Sequence, residues 1–193
     1  MESLVLFALV ATITPGGATT LATASGARFG FRRSIPLMAG IAVGLGTLAA
    51  MAAAGLAGVL LALPGLQTAM KVAGSAYLLW LAWKIALSGR PAVTDGPARP
   101  TGFLGGAGLL WLNPKGWAMA FGAAASFAVL AADPWRLGLM LGVTFALAAA
   151  VSLSLWCLAG LMLARLLHTD RQWRLVNAAL GLLLAASILP MWR

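Results

Sequence analysis

Acidic side chains are almost missing from this sequence. Glu2, Asp95, Asp133 and Asp170 are its four carboxylates in 193 residues, and all charged residues together make up 9%, against about 25% in an ordinary soluble domain. Cysteine is rarer still: Cys157 stands alone, which excludes an intrachain disulfide and any dithiol exchange, since both need a pair. Histidine occurs once, as His168. With so few soft and hard donors, no set of metal ligands is available. No metal, no other cofactor and no enzymatic chemistry is expected.

What fills the chain instead is apolar: 62% of residues are hydrophobic. Uncharged runs recur along it, each long enough to cross a ~30 Å hydrocarbon core at ~1.5 Å per residue. This pattern predicts a polytopic membrane protein. The net charge of +9 does not point to nucleic acid, because the cations cluster between the apolar runs, as loop charges do under the positive-inside rule. The start, "MESLVLF", lacks the basic segment of a signal peptide, so none is expected.

Six spans follow. The first covers about 3–24 and leads into "SGARFGFRR", read as a loop. Residues 36–70 contain no charge and are too long for one span, so the turn signal Pro64-Gly65 divides them into spans of about 36–63 and 66–87. Residues 88–102, rich in proline and glycine, form a polar loop. Span four, about 103–132, is interrupted at "NPKGW"; "ADPWR" makes a turn; span five is about 137–164; "RLLHTDRQWR" makes a basic loop; span six is about 175–191.

The first, third and fifth loops hold or adjoin Arg28, Arg32, Arg33, Lys84, Arg90, Arg99, Arg165, Arg171 and Arg174, while the even loops have only Arg136. This distribution puts the odd loops in the cytoplasm and both termini outside. Trp80, Trp83, Trp135 and Trp192 suit the membrane interfaces, whereas Trp111 and Trp117 fall deeper. Gly40, Gly44, Gly55, Gly142 and Gly160 read as glycines of helix packing.

The chain also echoes itself. Leu37-Met38-Ala39-Gly40-Ile41 aligns with Leu139-Met140-Leu141-Gly142-Val143, and the Thr14-Pro15-Gly16 break falls close to Asn113-Pro114-Lys115-Gly116. Two halves of three spans each must enter the membrane from opposite faces, which makes an inverted repeat. The expected architecture is therefore all-α: a single transmembrane domain over 1–193 with six transmembrane helices as two inverted three-helix repeats and broken first and fourth helices. Repeat one is about 1–87, the cytoplasmic loop about 88–102, and repeat two about 103–193.

The breaks carry the chemistry. Thr and Asn cap helix starts well, and proline is favoured at the first helical position. Thr14 is thus expected to cap a half-helix from Pro15, and Asn113 one from Pro114. In hydrocarbon such breaks survive only where they are buried in protein or line a cavity. Each exposed helix start offers N–H donors and a partial positive charge, and Lys115 adds a full one. No acidic side chain in the spans can pair with Lys115, so its partner is a backbone carbonyl or a bound anion. The candidate substrate-binding residues are Thr14, Pro15, Gly16, Gly17, Thr19, Asn113, Pro114 and Lys115, with Thr20 nearby. For the first break taken alone, a packing kink remains an equal reading.

In this order, the Pro-Gly break of span one, "SGARFGFRR", "AYLLWLAWK" and "NPKGW" resemble the LysE/RhtB family of bacterial amino-acid exporters, over nearly the whole length. The resemblance implies efflux of amino acids or small derivatives from the bacterial cytoplasmic membrane, driven by the proton gradient. The chain departs from the family where Thr-Pro-Gly-Pro-Asn is typical: here Thr14-Pro15-Gly16-Gly17-Ala18 stands. With no acidic residue to hold a second ammonium, neutral or small amino acids are expected over lysine or arginine. The expected partners are a small carboxylate substrate and the lipid bilayer, not nucleic acid, and a protein this small is compatible with a homodimer. Export of another small anion or metabolite, and a non-transporting membrane subunit, are the alternatives.

Overall fold

The computed structural model describes residues 1–56, 64–87, 101–186 and 188–189. Among these residues the regular structure is entirely helical. In chain order it comprises α1 (Glu2–Ile13), α2 (Gly17–Phe29), α3 (Phe31–Met51), a wide π-turn (Ala52–Leu56), α4 (Pro64–Ala86) and α5 (Phe103–Trp111). Then come α6 (Pro114–Ser126), a short 3-10 turn (Ala128–Leu130), α7 (Pro134–Leu166) and α8 (Asp170–Ala186).

Two helical stretches, Phe31–Gly55 and Pro134–Leu166, are each long and apolar enough to cross a membrane; α1 and α2, bent by 60° at their junction, make a third if taken as one span. The surface of α7 shows why these helices belong in lipid. Leu139, Val143, Leu147, Val151, Leu155 and Met162 form an exposed row at helical spacing, while Leu141, Phe145, Ala148 and Leu153 are buried on the other side. A helix apolar all round has no face for water. The chain is an α-helical membrane protein.

Helices pack through close backbone contact. A Cβ on Gly26 would collide with the Cys157 carbonyl, and one on Gly160 with that of Thr23, which locks α2 against α7. Gly40 faces the Phe103 carbonyl and Gly106 that of Leu37, so α3 lies against α5. Gly46 meets Gly142, and Gly138 meets the carbonyl of Ala50, so α3 and α7 cross antiparallel. In lipid, where burial of apolar surface drives little association, such small-residue contacts hold helices together by dispersion. Gly40, Gly44, Gly142 and Gly160 have the packing role expected of them. Gly55 does not: it has a φ of 110° in the π-turn, and among the described residues nothing beyond its chain neighbours lies within 4 Å of where its Cβ would stand. It bends the chain rather than packing it.

Several boundaries differ from the sequence reading. "SGARFGFRR" is not a loop: α2 continues to Phe29, α3 starts at Phe31, and the reversal takes place at Gly30 alone. Gly30 has φ 78°, a conformation that glycine adopts without steric cost. Ser34 Oγ donates to the Gly30 carbonyl at 2.9 Å and accepts from Ser25 Oγ at 2.7 Å, so the joint is tied from both sides. Pro64 and Gly65 open α4 instead of forming a turn, as proline's missing N–H permits at a helix start. Residues 57–63, the end of the second expected span, and the loop 88–100 lie outside the described residues. The basic loop before span six shrinks to three residues, since α8 begins at Asp170. Thr169 and Gln172 build its capping box: the Gln172 side-chain oxygen accepts from the His168 and Thr169 amides, and Thr169 Oγ1 accepts from Gln172 N.

Candidate functional site

The second break forms as its sequence predicts. Asn113 is buried, its backbone is extended, and its Oδ1 accepts from the Lys115 amide at 3.1 Å; Pro114 opens α6. The carbonyls left over from α5 find donors nearby. Asn113 N donates to Leu110 O at 2.9 Å, and the Trp117 indole N–H donates to Trp111 O at 2.7 Å. Trp111 and Trp117 also meet edge to face at 5.6 Å. This accounts for the two tryptophans that lie too deep to be interface anchors: they brace the break.

The first break is built differently from its expectation. Thr14 does not cap α2. Its hydroxyl turns back to Val10 O at 2.7 Å and closes the end of α1, because a helical carbonyl four residues back is the nearest acceptor for a threonine. The cap falls two residues later, at Gly16, whose N–H is accepted by Thr19 Oγ1 at 2.8 Å; the same hydroxyl donates to Gly16 O at 2.9 Å. Half-helix α2 therefore starts at Gly17 rather than Pro15. Pro15 sits in the exposed bend between the two helices.

A break in α1 strands the carbonyls of its last turn. Three carbonyls at this end, those of Thr12, Ile13 and Thr14, receive a side-chain donor from a remote part of the chain. Ser152 Oγ reaches Thr12 O at 2.8 Å, the Trp156 indole N–H reaches Ile13 O at 3.1 Å, and Lys115 Nζ reaches Thr14 O at 2.6 Å, with Pro15 O at 3.5 Å. Ser152 and Trp156 were not picked out from sequence. The signal was there, since serine and tryptophan at four-residue spacing interrupt the apolar run of α7 on one side.

Lys115 thus joins the two breaks. Its aliphatic stem runs alongside Gly16, where an added Cβ would lie 3.1 Å from Cδ and 3.4 Å from Nζ. The Asn113 amide nitrogen stands 3.6 Å from the position a Cβ would take on Gly17. Thr14, Pro15, Gly16 and Gly17 of the first break therefore meet Asn113 and Lys115 of the second at one junction, with Pro114 directly behind. Thr19 supports the junction as a cap. Thr20 is buried one residue further along α2. Of the partners the sequence allowed for Lys115, a backbone carbonyl is in place. No group of three or more His, Cys, Asp or Glu suited to a metal occurs among the described residues.

A helical membrane protein with two breaks joined at a single lysine has the build of a solute carrier, in which interrupted helices recur. The chain belongs to the LysE type translocator family, which it matches over residues 9–187. It is 33% identical over 183 residues to the cysteine/O-acetylserine efflux protein of Escherichia coli (strain K12), covering 92% of this chain and 90% of that one. It is 32% identical over 179 residues to the protein of the same name from Salmonella typhimurium, covering 90% and 89%. No solved structure matches it. The protein is a membrane transporter, not an enzyme.

Proposed function

We propose that this translocator exports neutral or small amino acids, of the cysteine and O-acetylserine kind, across the bacterial cytoplasmic membrane under the proton gradient. The observation that carries the reading is the Lys115 ammonium, held on Thr14 O at 2.6 Å where the two breaks meet. A carbonyl is a neutral partner. A substrate carboxylate offers the same geometry with a full opposite charge, which adds ion–ion attraction to the hydrogen bond. In this mechanism the arriving carboxylate takes Lys115 from Thr14 O and lies against the first turns of α2 and α6, whose dipoles favour an anion. Transfer of the lysine loosens the α1 end and lets the junction open toward the other side.

The architecture that goes with this reading has six spans in two inverted halves, with Thr14–Gly17 and Asn113–Lys115 near the membrane midplane. Helix directions support it. Phe7 lies on Phe145, Thr12 on Ser152 and Ile13 on Trp156, so α1 runs parallel to α7. Gly40 lies on Phe103 and Gly44 on Ala107, so α3 runs parallel to α5. Exchanging the halves carries one pair into the other. Odd connections in the cytoplasm and both termini outside complete the proposed topology, and a homodimer is consistent with it.

The decisive measurement is efflux of cysteine and O-acetylserine from expressing cells, with and without Lys115→Met. Export should fall to the level of cells lacking the protein, at equal abundance in the membrane, and a protonophore should abolish wild-type export. Undiminished export by the variant would refute Lys115 as the substrate ligand. Export of a different anion with no effect on amino acids would favour the other substrate class.

A further inference from the structure

Between the ends of α2 and α4 and the beginning of α8 lies a cleft of about 400 Å³. That is within the range of small-molecule sites, roughly 300–1,000 Å³. Arg28 and Lys84 stand on its wall with Tyr77, Trp80 and Asn177. No carboxylate lines it among the described residues. Lys84 Nζ rests 4.5 Å from the centre of the Trp80 ring, and Tyr77 packs against Trp80 at 5.8 Å. The ammonium is thus held at the cleft by a cation–π contact instead of extending freely into solvent. Deeper in, the wall turns apolar with Leu21 and Leu81.

The cleft adjoins the junction of the two breaks. Leu78 Cδ2 and Leu184 Cδ1 lie 3.1 and 3.2 Å from the Cβ position of Gly17, and both leucines are fully buried. Leu81 is about one helical turn beyond Leu78, Leu21 about one turn beyond Gly17, and Asn177 about two turns before Leu184. Leu78 and Leu184 thus stand between Gly17 and the helix positions that line the cleft.

Building on the export reading above, we propose that this cleft is a second, loading site, which binds the carboxylate of the amino acid through Arg28 and Lys84 before the substrate passes Leu78 and Leu184. Trp80 and Tyr77 bear on the ligand's flank, and the leucine floor accepts a small uncharged side chain. An anionic lipid headgroup presents similar oxygens at a membrane boundary, so the test separates the two sources.

The experiment uses the full chain carrying Lys115→Met, which removes the junction ligand, in nanodiscs of phosphatidylcholine alone. Binding of radiolabelled O-acetyl-L-serine is measured. The expected result is saturable binding that weakens at least tenfold when Arg28→Gln and Lys84→Gln are added and returns with Arg28→Lys and Lys84→Arg. The methyl ester of the same amino acid, lacking the carboxylate, should not compete. Absence of binding in Lys115→Met protein that elutes as a folded species overturns the proposal. So does binding indifferent to Arg28 and Lys84, or an effect of those residues seen only when phosphatidylglycerol is present, which would assign the cleft to lipid. None of these outcomes depends on export. Failure of the Lys115 efflux test and failure of the cleft are therefore told apart.

Discussion

The carbonyls of residues 12 to 14 would be orphans in any helix broken at Thr14, and in hydrocarbon they have no water to turn to. Ser152, Trp156 and Lys115 answer them one by one. The three donors are not equivalent. Ser152 and Thr12 are both buried, so their bond fixes structure, whereas Lys115 is half-exposed and its acceptor Thr14 lies on the exposed bend, where the proposed exchange of partners has room. Ser152→Ala is accordingly expected to lower stability by about 0.6 kcal/mol, and by no more than about 1.7 kcal/mol, the average and the maximum for polar contacts between membrane helices. The readout is the midpoint of thermal unfolding in detergent; a midpoint equal to wild type would show that the Thr12 carbonyl needs no donor. Lys115 stood out in the sequence as the candidate residue because a lone cation in an apolar run is costly. Its partner did not, since Thr14 lies about a hundred positions away and only packing decides which carbonyl comes within reach.

At the scale of elements, the helix ends obey local rules where side chains with a cap's geometry are at hand. Asn113-Pro114, Asp133-Pro134 and Thr169-Gln172 each start a helix with the expected hydrogen bond, and the first of these was readable in advance. Thr14-Pro15 looked the same in sequence yet failed, because Thr14's hydroxyl had a helical carbonyl behind it and Thr19 was placed to cap Gly16. The reversal at Gly30 was also hidden: nine residues of mixed polarity read as a loop, but one residue with positive φ is enough when Ser25 and Ser34 tie the corner. Two glycines make opposite predictions. Gly30→Ala forces a side chain into φ 78° and should destabilise by about 1 kcal/mol or more. Gly122→Ala, inside α6 with no atom within 4 Å of its Cβ position, should stabilise by about 0.5–1 kcal/mol. Detergent unfolding of the two variants side by side checks the pair; shifts of the same sign would refute the helix geometry assigned to one of them.

Over the whole molecule, the cationic connections gather. Arg28 at the end of α2, Lys84 at the end of α4 and Thr101 and Trp173 at the starts of the following helices all border one cleft, so the first, third and fifth connections share one end of the bundle. With the cations on that end, the positive-inside rule predicts that it faces the cytoplasm, as proposed above. The lone cysteine makes this easy to test. In a Cys157→Ser background, single cysteines replacing Arg32 or Arg171 should react with an impermeant maleimide only after the cells are opened, while one replacing Asp133 should react in intact cells. Labelling of Arg32→Cys from outside would invert the topology and place the cleft on the external face.

Composition and order along the chain determined that this is a helical membrane protein, that its first and fourth apolar stretches are interrupted, that Asn113 starts a helix, and which transporter family it resembles. Those properties rest on residue types and on neighbours a few positions apart, which a sequence displays directly. Tertiary structure alone decided that Lys115 crosses to Thr14, that Ser152 and Trp156 close the end of α1, and that residues flanking three separate connections line one cationic cleft. Each of these depends on backbone atoms brought within a few ångströms by glycine-to-carbonyl packing between remote helices, and no local pattern encodes that distance.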